Sequence, residues 1–148
     1  MANPKGSRSL VLSVSAGTGH YRHIRISESA TLEDLSSFIL DSFNFFDDHM
    51  HAFFMNNRVW DIEAEYICTF GELDGAAGFT DKTRLSKFNL CKGDKFLYIF
   101  DFGDEWRFQI KVLHVVNEPT QIPVALKSVG EISQYGYNED DEDEGGDG

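Results

Sequence analysis

This chain is short of the residues that staple, anchor or neutralise a fold. Only two cysteines, Cys68 and Cys91, occur in its 148 residues. That is too few for a disulfide framework, and they read as reduced thiols in a cytosolic protein. No run of 18 or more apolar residues exists, so no membrane-spanning helix is expected. The opening "MANPKGSRSL" lacks an apolar stretch of signal-peptide length. Positive charge is scarce as well: 13 Lys and Arg face 25 Asp and Glu, a net charge of −12. Direct nucleic-acid binding is therefore disfavoured, since neutralising phosphates needs a cationic face that the sequence does not advertise.

The negative charge is concentrated at one end. Residues 131–148 hold eight acids (Glu131, Glu139, Asp140, Asp141, Glu142, Asp143, Glu144 and Asp147) and no Lys or Arg. Without them the body carries 13 bases against 17 acids. A run that repels itself and buries nothing is expected to be disordered. It serves either as a solubilising extension or as a polyanion mimic for a basic surface on a partner. The expected organisation is a flexible segment 1–8, a single domain 9–130 and an acidic tail 131–148.

What remains is globular, 41% hydrophobic and 14% aromatic with 13 Phe, enough to build a core. "SLVLSVSAGTGHYRHIRIS" reads as two strands joined through Ala16-Gly17-Thr18-Gly19. Its Gly-x-Gly has no following GK[ST] and no helix-opening third glycine, so it is no phosphate loop. Thr31 and Asp34 fit a helix cap, and Leu32, Leu35, Ile39, Phe43 and Phe46 then form one apolar face over about four turns. "DDHMHAFFMNNRVWDI" predicts a short strand, a turn at Asn56-Asn57 and a second short strand at Val59-Trp60. Residues 68–83 read as a long surface loop, and Leu85, Phe88 and Leu90 as a helical turn.

"FLYIFDFGDEWRFQIKV", residues 96–112, is the most regular stretch, alternating apolar and polar residues around Gly103-Asp104. That pattern predicts a long antiparallel hairpin with a type II′ turn led by the glycine. Its Asp101-Phe102-Gly103 matches the kinase magnesium triplet, but no nucleotide loop, strand lysine or HRD-type loop precedes it. Pro119 and Pro123 end the second strand. The expected fold is α+β: one mixed, mainly antiparallel sheet with one long helix packed across it, in a β-grasp, ubiquitin-like arrangement.

Two segments then carry a resemblance. "KGDKFLYIFDFGDEWRFQIKV" is similar to the "GDxFxYxYDFGDxWxHxI" signature of the plasmid pRiA-type ORF-three-like family. "FFDDHMHAF", residues 45–53, resembles that family's "WDDSHLHEF" segment, and "TLEDLSSFI" fits its helix start. The resemblance spans roughly residues 10 to 116. It implies an α+β domain found in bacteria and archaea, in some members associated with mobile elements, and it implies no reaction. Phe108 stands where a family His is common, Phe46 and Asp48 replace Trp and Ser-type residues, and the C-terminal segment has no Cys.

The candidate binding surface is Asp47, Asp48, His49 and His51 together with Asp101, Asp104, Glu105 and Trp106. In an extended segment His49 and His51 point to one face, as two metal-ligating imidazoles would, with Asp47 or Asp48 adding an oxygen. The alternative has His51 partly packed at a strand start and His49 in a loop. No third or fourth ligand is pinned down, so no metal and no cofactor is expected. Asp101 is read as fixing the hairpin through hydrogen bonds and Asp104 as a turn residue. Two functions follow: a non-enzymatic adaptor module with an unidentified protein partner, or a small metal-dependent hydrolase-like enzyme joining Asp47–His51 to the acids at 101–105.

Overall fold

The computed structural model describes residues 8–69 and 76–134. The run 139–148 and most of the acidic tail lie outside those residues, as does part of the 68–83 loop. The first two strands, β1 (Ser9–Ser15) and β2 (Tyr21–Ser27), form an antiparallel hairpin. Alternation places Leu10, Leu12, Val14, Ile24 and Ile26 on one face, all fully buried. The helix α1 (Leu32–Ser42) covers that face. Its start carries both halves of a capping box: Asp34 N–H donates to Thr31 Oγ1 and Thr31 N–H to Asp34 Oδ2, each at 3.0 Å.

The helix is one turn shorter than its apolar spacing predicts. Asn44 adopts φ 61, which ends the helix and turns the chain. Phe43 and Phe45 stay in the core, whereas Phe46 is 72% exposed. Inside, Tyr98 Oη and Ser36 Oγ share a 2.5 Å hydrogen bond, which satisfies both buried hydroxyls.

The remaining strands are β3 (His51–Phe54), β4 (Glu65–Ile67), β5 (Gly78–Phe79), β6 (Lys95–Phe100), β7 (Trp106–Val116) and β8 (Val124–Val129). All eight lie in one sheet in the order β5-β4-β3-β6-β7-β1-β2-β8. Every pairing is antiparallel except β4 with β5.

This architecture overturns the β-grasp expectation. Among the described residues the protein is mainly β, an eight-stranded mixed sheet with a single α-helix of 11 residues. Three additions account for the difference. The partner of β3 is β4, at 65–67 rather than at Val59-Trp60, where Asn57 and Trp60 have positive φ. The predicted 68–83 loop contains β5 and the buried Thr80. After Pro119 and Pro123 the chain re-enters the sheet as edge strand β8 against β2. Here Pro123 precedes the strand and so removes no ladder donor.

The β6–β7 connection also differs from prediction. It has five residues, 101–105, with positive φ at Asp101 (64°) and Glu105 (55°) rather than at Gly103. The turn therefore does not use the glycine's freedom. Asp101 instead meets the left-handed requirement, which Asp tolerates better than most residues.

Candidate functional site

Residues 45–50 leave the helix and run without regular structure into β3. Two anchors hold them. Phe45 packs edge-on against Trp106, ring centroids 5.0 Å apart, and beside Phe100. Gln134 clamps the other side: its Oε1 accepts from Phe46 N–H at 2.8 Å, and its Nε2 donates to Phe46 O at 3.1 Å and Asp48 Oδ1 at 3.2 Å. The Gln134 carbonyl accepts from Trp106 Nε1 at 3.1 Å, so Trp106 supports the segment from below.

The hairpin meets this segment through Asp101. Its N–H donates to the Met50 carbonyl at 2.8 Å, tying the turn to the residue before β3. Its Oδ1 accepts from Gly103 N–H at 3.1 Å and Asp104 N–H at 3.3 Å. Its Oδ2 lies 3.4 Å from His49 Nε2, which is also 3.5 Å from Asp48 Oδ1. The two segments, fifty residues apart, thus meet at one imidazole between two carboxylates. His49 lies edge-on to Phe100 at 5.9 Å.

His51 has a different environment. It is buried against Tyr98 and Phe53, with Nε2 2.9 Å from Thr80 Oγ1. Burial pushes its pKa down to about 4, so the ring is neutral at pH 7. The two histidines share a cleft wall but have separate partners, and among the described residues no group of three His, Cys, Asp or Glu is placed to hold a metal.

The cleft has a volume of about 630 Å³ and is lined by Glu33, Asp47, Asp48, His49, His51 and Cys68, among others. Partial burial raises the Glu33 carboxyl, and nearby Asp81, Asp47 and Asp34 raise it further. Asp47 sits at the mouth and reaches solvent; desolvation at the wall, then Asp48, raises its carboxyl. Neither Glu33 nor Asp47 is paired with Lys or Arg among the described residues.

The fold therefore assembles Asp47, Asp48, His49, His51 and Asp101, with Trp106 as support. It leaves Asp104 exposed and outside the cleft, giving only its N–H to Asp101. Glu105 faces Arg107, at 2.8 Å from Nε. Glu33, Thr80 and Gln134 were not recognisable as site residues. Glu33 reads as a first-turn helix acid, and the other two enter only through contacts distant in sequence.

Residues 16–138 match the family described as plasmid pRiA4b ORF-3-like protein, and that span includes both segments that form the site. The chain belongs to this family. No curated protein matches the chain. The fold of this family member is similar to a crystal structure of a protein of unknown function, MM3350, from Methanosarcina mazei Go1. The TM-score is 0.64 at 24% identity, over 82% of this chain and 70% of the other. At that identity the likeness speaks for the fold alone.

Proposed function

We propose that this family member is a non-enzymatic binding module of the cytosol whose cleft receives a cationic side chain, lysine or arginine, from a protein partner. One observation carries the reading: Glu33 and Asp47 share a cleft and have no basic partner among the described residues. Partly desolvated carboxylates favour an incoming cation, which would replace lost solvation with charge-assisted hydrogen bonds. Nucleic acid is disfavoured at this cleft, because the same carboxylates repel phosphate. Two free cysteines, Cys68 and Cys91, suit a reducing compartment. Among the described residues no helix is long and apolar enough to cross a membrane.

The test is titration of the whole protein with a short arginine-containing peptide and with its neutral citrulline counterpart, read by NMR at His49 and His51. The arginine peptide is expected to give saturable shifts that disappear in Glu33→Gln/Asp47→Asn, and the citrulline peptide none. Equal responses to the two peptides, or none to arginine and lysine peptides alike, refute the proposal.

The His49–Asp101 contact favours one second reading, a metal-assisted hydrolase-like enzyme in which Asp101 orients His49 beside Asp47 and Asp48. Stoichiometric zinc, manganese or iron in untagged protein, lost in His49→Ala/His51→Ala, would support it. Metal-free protein with a folded double variant removes it.

A further inference from the structure

Away from the helix, the sheet aligns cations that are far apart in sequence. Lys95 lies opposite Lys111, Lys111 opposite Ser13, Ser13 opposite His23 and His23 opposite Lys127. Directly paired residues project to the same side of a sheet. The flanking Phe96, Ile110, Val112, Leu12, Val14 and Ile24 all enter the helix-covered core, so this row faces the other way. Contacts within the row agree: the Tyr21 and His23 rings are 5.2 Å apart, and Lys127 Nζ is 5.7 Å from the Tyr21 ring centroid.

Five neighbouring strands thus present Lys95, Lys111, Ser13, His23 and Lys127 in one line, and all three lysines are exposed. Like charges directly opposite one another, such as Lys95 and Lys111, are destabilising without a counter-charge. Cations beside the row have one: Arg25 is 3.6 Å from Glu118, and Arg107 bonds Glu105. Lys95, Lys111 and Lys127 make no ion pair with any described residue. The His23 pKa is lowered by burial and then by Lys127, which agrees with a row short of negative charge.

We infer that this row is a docking surface for an acidic polypeptide segment, and that the chain's own run Glu139–Glu144 is its occupant. Six consecutive acids complement the row, and they belong to the same molecule. The geometry permits it. Gln134 is fixed beside Trp106, at the hairpin end of β7 and on the helix-covered side of the sheet. The run therefore has to pass round the end of the sheet to reach Lys111, five residues along that strand. Glu139 to Glu144 lie five to ten residues after Gln134, a reach of up to about 17–34 Å. The row measures about 19 Å across its five strands. Tethering supplies an effective concentration of order millimolar. An external polyanion has no such advantage, and it must also approach a chain of net charge −12.

The test uses the full-length chain, a tail-neutralised variant (E139Q/D140N/D141N/E142Q/D143N/E144Q) and a row-reversed variant (K111E/K127E). Backbone amide shifts of Ser13, His23, Lys111 and Lys127 are measured at low salt and at about 0.5 M salt, where screening shortens to a few Å. The wild-type shifts are expected to move with salt towards those of the tail-neutralised variant. A fluorescent oligothymidylate is expected to bind the tail-neutralised variant at least about tenfold more tightly than wild type, and this binding should vanish when K111E/K127E is added. Row amides indifferent to tail neutralisation would overturn the inference. So would wild type binding oligothymidylate as tightly as the tail-neutralised variant, which would make the row a nucleic-acid surface with no competing tail. Lys111 and Lys127 are exposed, so a melting temperature within a few degrees of wild type separates lost docking from lost folding.

Discussion

The acidic cleft and the basic row lie in one sheet, and they are assembled in opposite ways. The cleft gathers side chains from a strand start, a helix start and a hairpin turn, where the regular pattern breaks. Its groups are partly buried, so desolvation governs them: His51 is held neutral, and Glu33 and Asp47 are harder to ionise. The row is the product of strand pairing itself, five strands in register at Lys95, Lys111, Ser13, His23 and Lys127. Bulges occur only beside it, at Val11/Leu12 and His23/Ile24, and its three lysines are exposed. A net charge of −12 describes neither region. What matters locally is which charges the fold brings within a Debye length of each other.

Four perturbations probe that contrast, in order of expected size. Phe100 is fully buried, packs beside Phe45 and His49 of the cleft, and ends the strand that begins at Lys95 of the row. Phe100→Ala should cost about 3–5 kcal/mol, and urea unfolding should remain one transition for probes in both regions. Two separated transitions would mean that the cleft and the row belong to different cooperative units.

The second effect belongs to the cleft alone. The folded-state pKa of His51 is depressed to about 4 from an ordinary 6.5, so between those values the unfolded chain binds the extra proton. Stability should be flat in this respect above pH 6.5 and fall as pH drops, by roughly 3 kcal/mol at pH 4. His51→Gln should flatten that limb in pH-dependent urea titrations, whereas Lys111→Ala should leave it in place.

Third, Asp101→Ala removes the acceptor for two turn N–H groups and the partner of His49. A loss of about 1–3 kcal/mol is expected by thermal unfolding. Asp101→Asn should recover part of it, since Asn tolerates positive φ and keeps an acceptor oxygen. Both variants should move the His49 imidazole resonances followed by NMR at fixed pH, because each alters the carboxylate 3.4 Å from Nε2.

The smallest effect has the opposite sign. Because Asp47 is raised in the folded state, its ionised form opposes folding once pH exceeds its unfolded pKa. Asp47→Asn should therefore stabilise the protein at pH 7, by no more than about 0.5 kcal/mol given solvent screening at the mouth. Loss of stability instead would mean that Asp47 already has a cationic partner.

Much of this was legible in local pattern. The β1–β2 hairpin, the capping box at Thr31 and Asp34, the buried face of residues 96–112 and the family signature all come from short-range periodicity or spacing. Phe46 misled because it continues a helical spacing that Asn44 interrupts, and no periodicity reports a residue at φ 61. Gly103 misled in the opposite sense, because a glycine beside a turn suggested the strained position that Asp101 occupies.

The sequence by itself determined the alternating strands, the capped helix, the concentration of acid near the C-terminus and membership of the family. Each depends on neighbours within a few residues, where steric preference and hydrophobic periodicity act. Only the tertiary structure decided that β8 extends the sheet to eight strands, that His49 meets Asp101 while His51 is buried on Thr80, and that Lys95, Lys111, His23 and Lys127 align. Those outcomes depend on strand order and register, which pair residues tens of positions apart and leave no periodic trace in the chain.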